Sequence, residues 1–353
     1  MKIAHVICSL CTGGAELMLI DILDKQADHG QDVTLIVVNK QYEQSLINKL
    51  PQHIRTIFID RPEGSKNPFW LLKLNYVLRK LKPEIIHYHH DKAAGMSFRL
   101  FDGGKTIATV HDTKINLKYY LNLDEVCSIS ESVQQDLMSR YGIESPVVYN
   151  GIDTDLIKRK EFQQHHSKTQ YSIVQVSRLN HGKKGQDLLI DAVAKLIDEG
   201  FDIGLSLIGV GESEQFLKER AVTLGIEHAV NFLGLRDRNY IYEHLQDYDL
   251  LVQPSRYEGF GLTVAEAMIA KVPVLVSDIE GPMEVIGNGL YGRSFRTGSV
   301  DSLVDSLRSI FRDYDSVRRI AEHEAYNHAL SSFDISVTAK RYIDRYSRLL
   351  STK

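Results

Sequence analysis

The chain has 353 residues, 43% hydrophobic, 25% charged and 8% aromatic, and 42 Lys and Arg stand against 46 Asp and Glu for a formal net charge of −4. That length suits two domains at roughly 100–200 residues each, and the composition suits a packed core, which sets aside disordered and fibrous chains. The charge balance predicts no nucleic acid partner, and no apolar run approaches the roughly 18 residues that a bilayer-crossing helix needs. In chain order, 2–9 reads as a β-branched strand. With no long apolar region or small-residue cleavage site, this start is not read as a signal peptide. Next come an amphipathic helix at 16–29 ended by Gly30, a buried strand at 33–38, a strand at 55–59, and a helix at 68–81 closed by Lys82-Pro83. Strands at 85–88, 105–110, 125–129 and 147–149 complete this half.

The polar, aperiodic stretch 158–168 reads as a linker, which puts one domain at 1–165 and a second at 166–334. Strands follow at 172–176, 204–208, 230–233, 250–253 and 273–277, with helices at 186–199, 212–224 and 262–270. A last helix at 335–350 carries Tyr342, Ile343, Tyr346 and Leu349 at helical spacing. Continuous apolar strands with helical crossovers imply parallel sheets covered on both faces. The expected fold is therefore α/β, with two Rossmann-like, doubly wound domains facing a central cleft where the C-terminal strand ends collect ligands. Three cysteines (Cys8, Cys11, Cys127) cannot all pair in a chain that needs no staples, which points to a reducing, cytoplasmic setting. Cys8-x-x-Cys11 has no second pair to complete a zinc site, so coincidence at the end of the first strand accounts for it better.

The most informative stretch is 254–268, Pro-Ser-Arg-Tyr-Glu-Gly-Phe-Gly-Leu-Thr-Val-Ala-Glu-Ala-Met. It runs from a buried strand through a glycine-punctuated turn into a helix. Glycines let a ligand approach the backbone, and the free N–H groups near Phe260, Gly261, Leu262 and Thr263 suit a diphosphate. Glu258 before the turn and Glu266 inside the helix are natural acceptors for sugar hydroxyls. The plainer alternative makes Glu258 a helix cap and Glu266 a surface charge.

This glutamate pair, seven residues apart within Ser-x-Tyr-Glu-Gly-Phe-Gly-Leu-Thr-x-x-Glu-Ala, resembles the signature of the retaining glycosyltransferases of family 4, which have the two-domain GT-B fold. Further motifs fall in the family's order: Gly13-Gly14-Ala15-Glu16, Thr109-Val110-His111-Asp112, Tyr149-Asn150-Gly151-Ile152-Asp153, Val176-Ser177-Arg178-Leu179, Lys184-Gly185, Leu207-Ile208-Gly209-Val210-Gly211 and Phe232-Leu233-Gly234. The resemblance covers essentially the whole chain. It implies that Arg178 and Lys184 stabilise the leaving diphosphate, so that no metal or other cofactor is needed; two cations in a dry cleft would hold that charge more tightly in the transition state than in the ground state. Lys183 and Lys184 are adjacent, and the assignment rests on Lys184 preceding Gly185. The resemblance also implies that Glu266 holds the ribose hydroxyls, Glu258 contacts the transferred sugar, and Gly234, Leu235 and Arg236 lie beside the base. Gly14 and Asn150 would border the donor, and His111 would reach the donor sugar or the acceptor hydroxyl. The last helix, 335–353, would cross back to the first domain.

The activity implied is transfer of a hexose-type sugar from a nucleotide-sugar donor, UDP-linked by family habit, to a glycan or lipid-linked acceptor. The rivals are a GT-B sugar-nucleotide epimerase and a non-catalytic nucleotide-sugar-binding partner. Asp-x-Asp, a metal motif of other transferases, recurs at 153–155, 247–249 and 313–315, scattered enough to mean little. In His87-Tyr88-His89-His90-Asp91, strand alternation lets at most His87 and His89 share a side, which argues against a metal site. Gly209-Val210-Gly211 lacks the third glycine of a nicotinamide site. The basic, aromatic segment 69–82 has two readings: a sheet-covering helix with a solvated basic face, or a peripheral contact with the inner face of the plasma membrane.

Overall fold

Alternation of apolar strands with helices resolves, in the computed structural model, into two six-stranded sheets, each wholly parallel. Residues 1–11, 13–89, 91–96, 104–116, 118–162 and 170–351 are described. They fall into two units, Met1–Gly151 with the segment from Phe333 onward, and Ile152–Ser332.

In the first unit the chain runs β1 (Lys2–Ile7), α1 (Gly14–Asp28), β2 (Asp32–Asn39), α2 (Gln44–Ile47), β3 (Arg55–Arg61), α3 (Phe69–Leu81), β4 (Ile85–Tyr88), α4 (Asp91–Ala94), β5 (Lys105–Val110), β6 (Glu125–Ser128) and α5 (Glu131–Tyr141). The strand order is β3-β2-β1-β4-β5-β6. Strand β1 pairs on both sides, with Ile3 beside Val33 and Ile85, and five of its six residues are buried, as a central strand covered on both faces requires. The strand expected at 147–149 is reduced to an isolated bridge between Ser128 and Val147. Pro146 precedes it and offers the ladder only a carbonyl, which accepts from the Ser128 N–H at 3.0 Å.

The second unit contains β7 (Gln170–Val176), α6 (His181–Lys184), α7 (Gln186–Asp198), β8 (Asp202–Ile208), α8 (Glu214–Thr223), β9 (Val230–Gly234), α9 (Arg238–His244), β10 (Leu250–Gln253), α10 (Leu262–Ile269), β11 (Val274–Ser277), α11 (Glu280–Val285), β12 (Arg293–Phe295), α12 (Val300–Arg312), α13 (Tyr314–Ile320) and α14 (Tyr326–Phe333). Its strand order is β12-β11-β10-β7-β8-β9. Leu188, Leu189, Val193 and Leu196 of α7 pack with Leu303, Leu307 and Phe311 of α12 and with Ile173 and Leu205 of the sheet.

The expected boundary at 165/166 lies in 163–169, outside the described residues, but the stretch before it already belongs to the second unit. The Lys158 N–H donates to Tyr242 O and the Lys160 N–H to Ala270 O, each at 2.9 Å, and Lys160 Nζ reaches Asp249 at 3.0 Å. The division therefore falls at Gly151/Ile152. A final helix, α15 (Ile335–Ser351), sends Tyr342 and Tyr346 into the core of the first unit beside Ile3, Ile85 and Ile107. Gly151 runs against it so closely that a Cβ there would lie 2.9 Å from Ile335 Cα.

Candidate active site

At the C-terminal end of β7 the chain enters a short turn of helix, α6, whose cap is Asn180: its side chain accepts from the Lys183 N–H at 2.9 Å. Gly185 closes that turn with φ +68° and sits so close to the end of β10 that a Cβ would come 2.0 Å from Pro254 O. Only a glycine meets both demands. The turn is also held by Gln175 of β7, which donates to Lys184 O at 2.9 Å, and by Lys183 O, which accepts from the Arg256 N–H at 2.8 Å. Lys184, thus positioned, points its Nζ at Glu258 Oε2 in a mostly buried ion pair, whereas the Lys183 side chain is exposed. The same carboxylate oxygen accepts from Gln253 Nε2 at 3.1 Å and Ser255 Oγ at 3.4 Å. Arg256 braces the two loops from below with a bidentate bond to Asp187 (2.9 and 3.0 Å). Arg178 stands apart, 77% exposed, with its nearest anion Glu212 at 3.7 Å.

The glycine turn that follows Glu258 leads into α10. Gly261 occupies the N-cap at φ +114° with no side-chain cap bond, so Glu258 is not a helix cap. Helix geometry leaves the first N–H groups of α10, at Leu262 and Thr263, without intrahelical acceptors, and Phe260 is buried beside them. Gly281 of α11 packs under this turn, its ideal Cβ 2.6 Å from Glu258 O. Glu266 lies one turn into α10, largely enclosed, and burial pushes its carboxyl up to about 7, against the opposing pull of the Arg238 charge and a hydrogen bond to Tyr242. Both of those residues come from α9. Arg236, just before α9, lays its guanidinium over the Tyr240 ring at 4.7 Å.

In the first unit, Gly14 opens α1 directly after the extended Gly13. Asn150 is buried with its Oδ1 lacking a partner. Its neighbour Tyr149 is fixed by Thr338 of α15, which donates to Tyr149 O at 3.0 Å. His111 follows β5, its ring 6.3 Å from that of His89. Histidine 90 lies outside the described residues, but the cluster of the described histidines is larger than strand alternation predicts. His5 of β1 joins His87 and His89, and their ligand atoms lie within 4.8 Å of one another. The nitrogens are engaged with protein groups: His5 with His89 at 2.9 Å and Gln26 at 2.8 Å, His87 with Tyr346 at 2.7 Å and Thr109 at 2.8 Å. Burial holds all three below their ordinary range, His5 at about 4, so they are neutral. Sequence reasoning missed His5 because it sits in an ordinary apolar strand. It also missed Gln253 and Tyr242, polar residues that a one-dimensional pattern cannot match to the carboxylates they serve.

The geometry thus collects, on the second unit, an anion-paired lysine, two glutamates and a helix N-terminus around one glycine turn. Known proteins resemble the chain along most of its length. Residues 12–156 match the family model described as Glycosyltransferase Family 4, and residues 157–327 match that of Glycosyl transferases group 1. An uncharacterized glycosyltransferase of Methanocaldococcus jannaschii is 29% identical over 215 residues, 57% of this chain and 55% of that protein, so the match spans little more than half of that relative's length. The lipopolysaccharide core biosynthesis glycosyltransferase LpsE of Rhizobium meliloti is 24% identical over 348 residues, 97% of this chain and 96% of its own. Among solved structures, Anabaena HepE in complex with UDP superposes with a TM-score of 0.82 at 25% identity, covering 99% of this chain and 100% of that one.

Proposed function

The chain belongs to glycosyltransferase family 4, with the GT-B fold and the activity of a glycosyltransferase, and from that premise we propose that it is a retaining, metal-independent enzyme that moves a hexose-type sugar from a UDP-sugar to a hydroxyl of a cell-surface or lipid-linked glycan. The observation that carries this reading is the enclosed Lys184–Glu258 pair beside the N-terminus of α10. In this reading the donor diphosphate takes Lys184 from Glu258 and lies against the N–H groups of Leu262 and Thr263. Arg178, exposed on the surface, folds in over it. Glu258, released, accepts hydroxyls of the sugar, while Glu266 accepts those of the ribose. As the glycosidic bond breaks, charge gathers on the leaving phosphate, and fixed cations and N–H dipoles hold it more tightly there than in the ground state. Attack from the same face, with that phosphate taking the acceptor's proton, gives retention. For Gly14, His111 and Asn150 of the first unit, a role toward the donor or acceptor rests on the family resemblance alone. UDP is the donor carrier favoured, since HepE, similar along its whole length, binds it.

Lys184→Ala and Arg178→Ala should each lower turnover about 10²–10³-fold, the usual effect of removing a charge-stabilising donor; Arg178→Ala should leave the melting temperature nearly unchanged, whereas Lys184→Ala, which leaves the mostly buried Glu258 without its cation, should also lower it. Near-normal turnover with both replaced would sink the assignment. UDP should raise the melting temperature more than GDP or ADP do, activity should survive chelation of divalent ions, and the product anomer should match the donor's by NMR. A nucleotide sugar incubated without acceptor separates the rivals: an epimerase converts it to its isomer, a non-catalytic binder leaves it intact, and a transferase hydrolyses it slowly.

A further inference from the structure

Helix α3 has two unlike faces. Leu74, Asn75, Leu78 and Leu81 are buried against the first unit, and Asn75 is pinned there by hydrogen bonds from Nδ2 to Leu71 O at 2.7 Å and Met96 O at 2.9 Å. The opposite face should be polar if the helix only covers the sheet. Instead Phe69 is 55% exposed, Leu72 63% and Tyr76 66%. Spaced at i, i+3 and i+7, these three form one outward stripe, which Lys80 continues at the next turn. Trp70 lies beside Phe69, edge to face at 5.1 Å, so the aromatic end is broad. Cations flank the stripe. From Ser65 to Lys82 there are five Lys and Arg (Lys66, Lys73, Arg79, Lys80 and Lys82) and no Asp or Glu. Lys73 Nζ is drawn in to Ile59 O at 2.7 Å, while the other four side chains are exposed.

We propose that this face of α3 docks on an anionic lipid surface, with Phe69, Leu72 and Tyr76 entering the headgroup–acyl boundary and Lys66, Arg79, Lys80 and Lys82 meeting lipid phosphates. The charge decides the occupant. A soluble apolar partner would complement the stripe but not the five Lys and Arg that the 65–82 segment carries without an Asp or Glu between them. Each Lys or Arg close to an anionic bilayer strengthens binding about fivefold, and three large side chains supply the apolar part that holds an interfacial helix in place. Among the described residues no helix is long and apolar enough to cross a membrane. The proposal does not depend on the transfer reaction.

Flotation of the full chain with two vesicle types tests it: phosphatidylethanolamine with phosphatidylglycerol, and phosphatidylcholine alone. The chain should float with the first and not the second, and raised salt should weaken binding about tenfold or more by screening. Phe69→Ser, Leu72→Ser and Tyr76→Ser together should abolish flotation with no loss of melting temperature, because all three point away from the core. Lys80→Glu with Lys82→Glu should do the same without touching the apolar stripe. Failure of the unaltered chain to float with anionic vesicles would overturn the proposal, as would flotation of the triple variant at the original level. A chain that is dimeric without lipid and becomes monomeric in the triple variant would also overturn it, assigning the face to a second copy.

Discussion

Gly185 sets the position of Lys184, although it has no side chain to do so. Replacement by Ala would combine a left-handed backbone angle of +68° with a Cβ 2.0 Å from a backbone carbonyl that cannot swing aside. Gly185→Ala should therefore cost about 2–4 kcal/mol of stability and lower turnover with it, readable by urea titration and initial rates. Glu266 offers a second check. Its carboxyl, at about 7 in the fold against an ordinary 4.5, is favoured in its protonated form. The stability this gives is fully present below pH 4.5 and is lost as pH rises through about 7. Glu266→Gln should flatten that part of the melting-temperature profile. If the same carboxylate serves the ribose, the variant should also raise KM for the donor more than it lowers kcat. The motif residues stand out in the sequence through the family resemblance and through the glycine turn between Glu258 and Glu266. The choice of Lys184 over Lys183 followed from the glycine after it, and the structure shows why that glycine matters. Their supports were not legible: Gln253 and Tyr242 look, in one dimension, like any polar residue in a strand or helix.

The elements follow the same division. Strands buried on both faces, such as β1, β2 and β10, announce themselves as short apolar runs, whereas β12, three residues reading Arg-Ser-Phe, has no pattern to show. Helices α5 and α12 were absent from the sequence reading despite usable signals: Ser130 and Ser299 cap them, accepting from Val133 N at 3.3 Å and Ser302 N at 3.2 Å. Helix α15 is expected from its tyrosines, and its return to the first domain from the family resemblance, but its hydrogen-bond partners are not. Tyr346 shares its hydroxyl between His87 Nδ1 at 2.7 Å and Gln26 Nε2 at 3.3 Å, and Tyr342 reaches Thr109 at 2.9 Å. Tyr346→Phe would strand buried polar groups on β4 and α1 and should destabilise the first unit by about 1–3 kcal/mol. The histidines in this network add an acid sensitivity. His5 titrates at about 4 in the fold against 6.5 ordinarily, so its contribution is complete above pH 6.5 and is lost as pH falls towards 4. Hydrogen exchange in α15 should accelerate over that window before exchange in α7 and α12 does.

At the scale of the whole molecule, the motifs divide between two units and the chain passes from one to the other twice, at Gly151/Ile152 and at Ser332/Phe333. The second unit is continuous and the first is not. Its core includes Ile335, Tyr342 and Tyr346 beside Ile3, Ile85 and Ile107. A chain ending at Ser332 should retain a protease-resistant second unit and lose protection throughout the first, whereas 152–332 alone should melt cooperatively. A fully folded first unit in the truncated chain would contradict this. Two domains could be counted from length alone, whereas the discontinuity could be expected only through the family resemblance, because periodicity does not say which core α15 joins. It also reverses the order of assembly on the ribosome. The first unit's sheet strands emerge early but must wait, with an apolar flank uncovered, until the last helix has been translated, while the unit encoded second can close before it. During synthesis the strands of the first unit are therefore exposed to aggregation until α15 is made, and a premature stop before α15 would undo the unit whose sheet was made earlier.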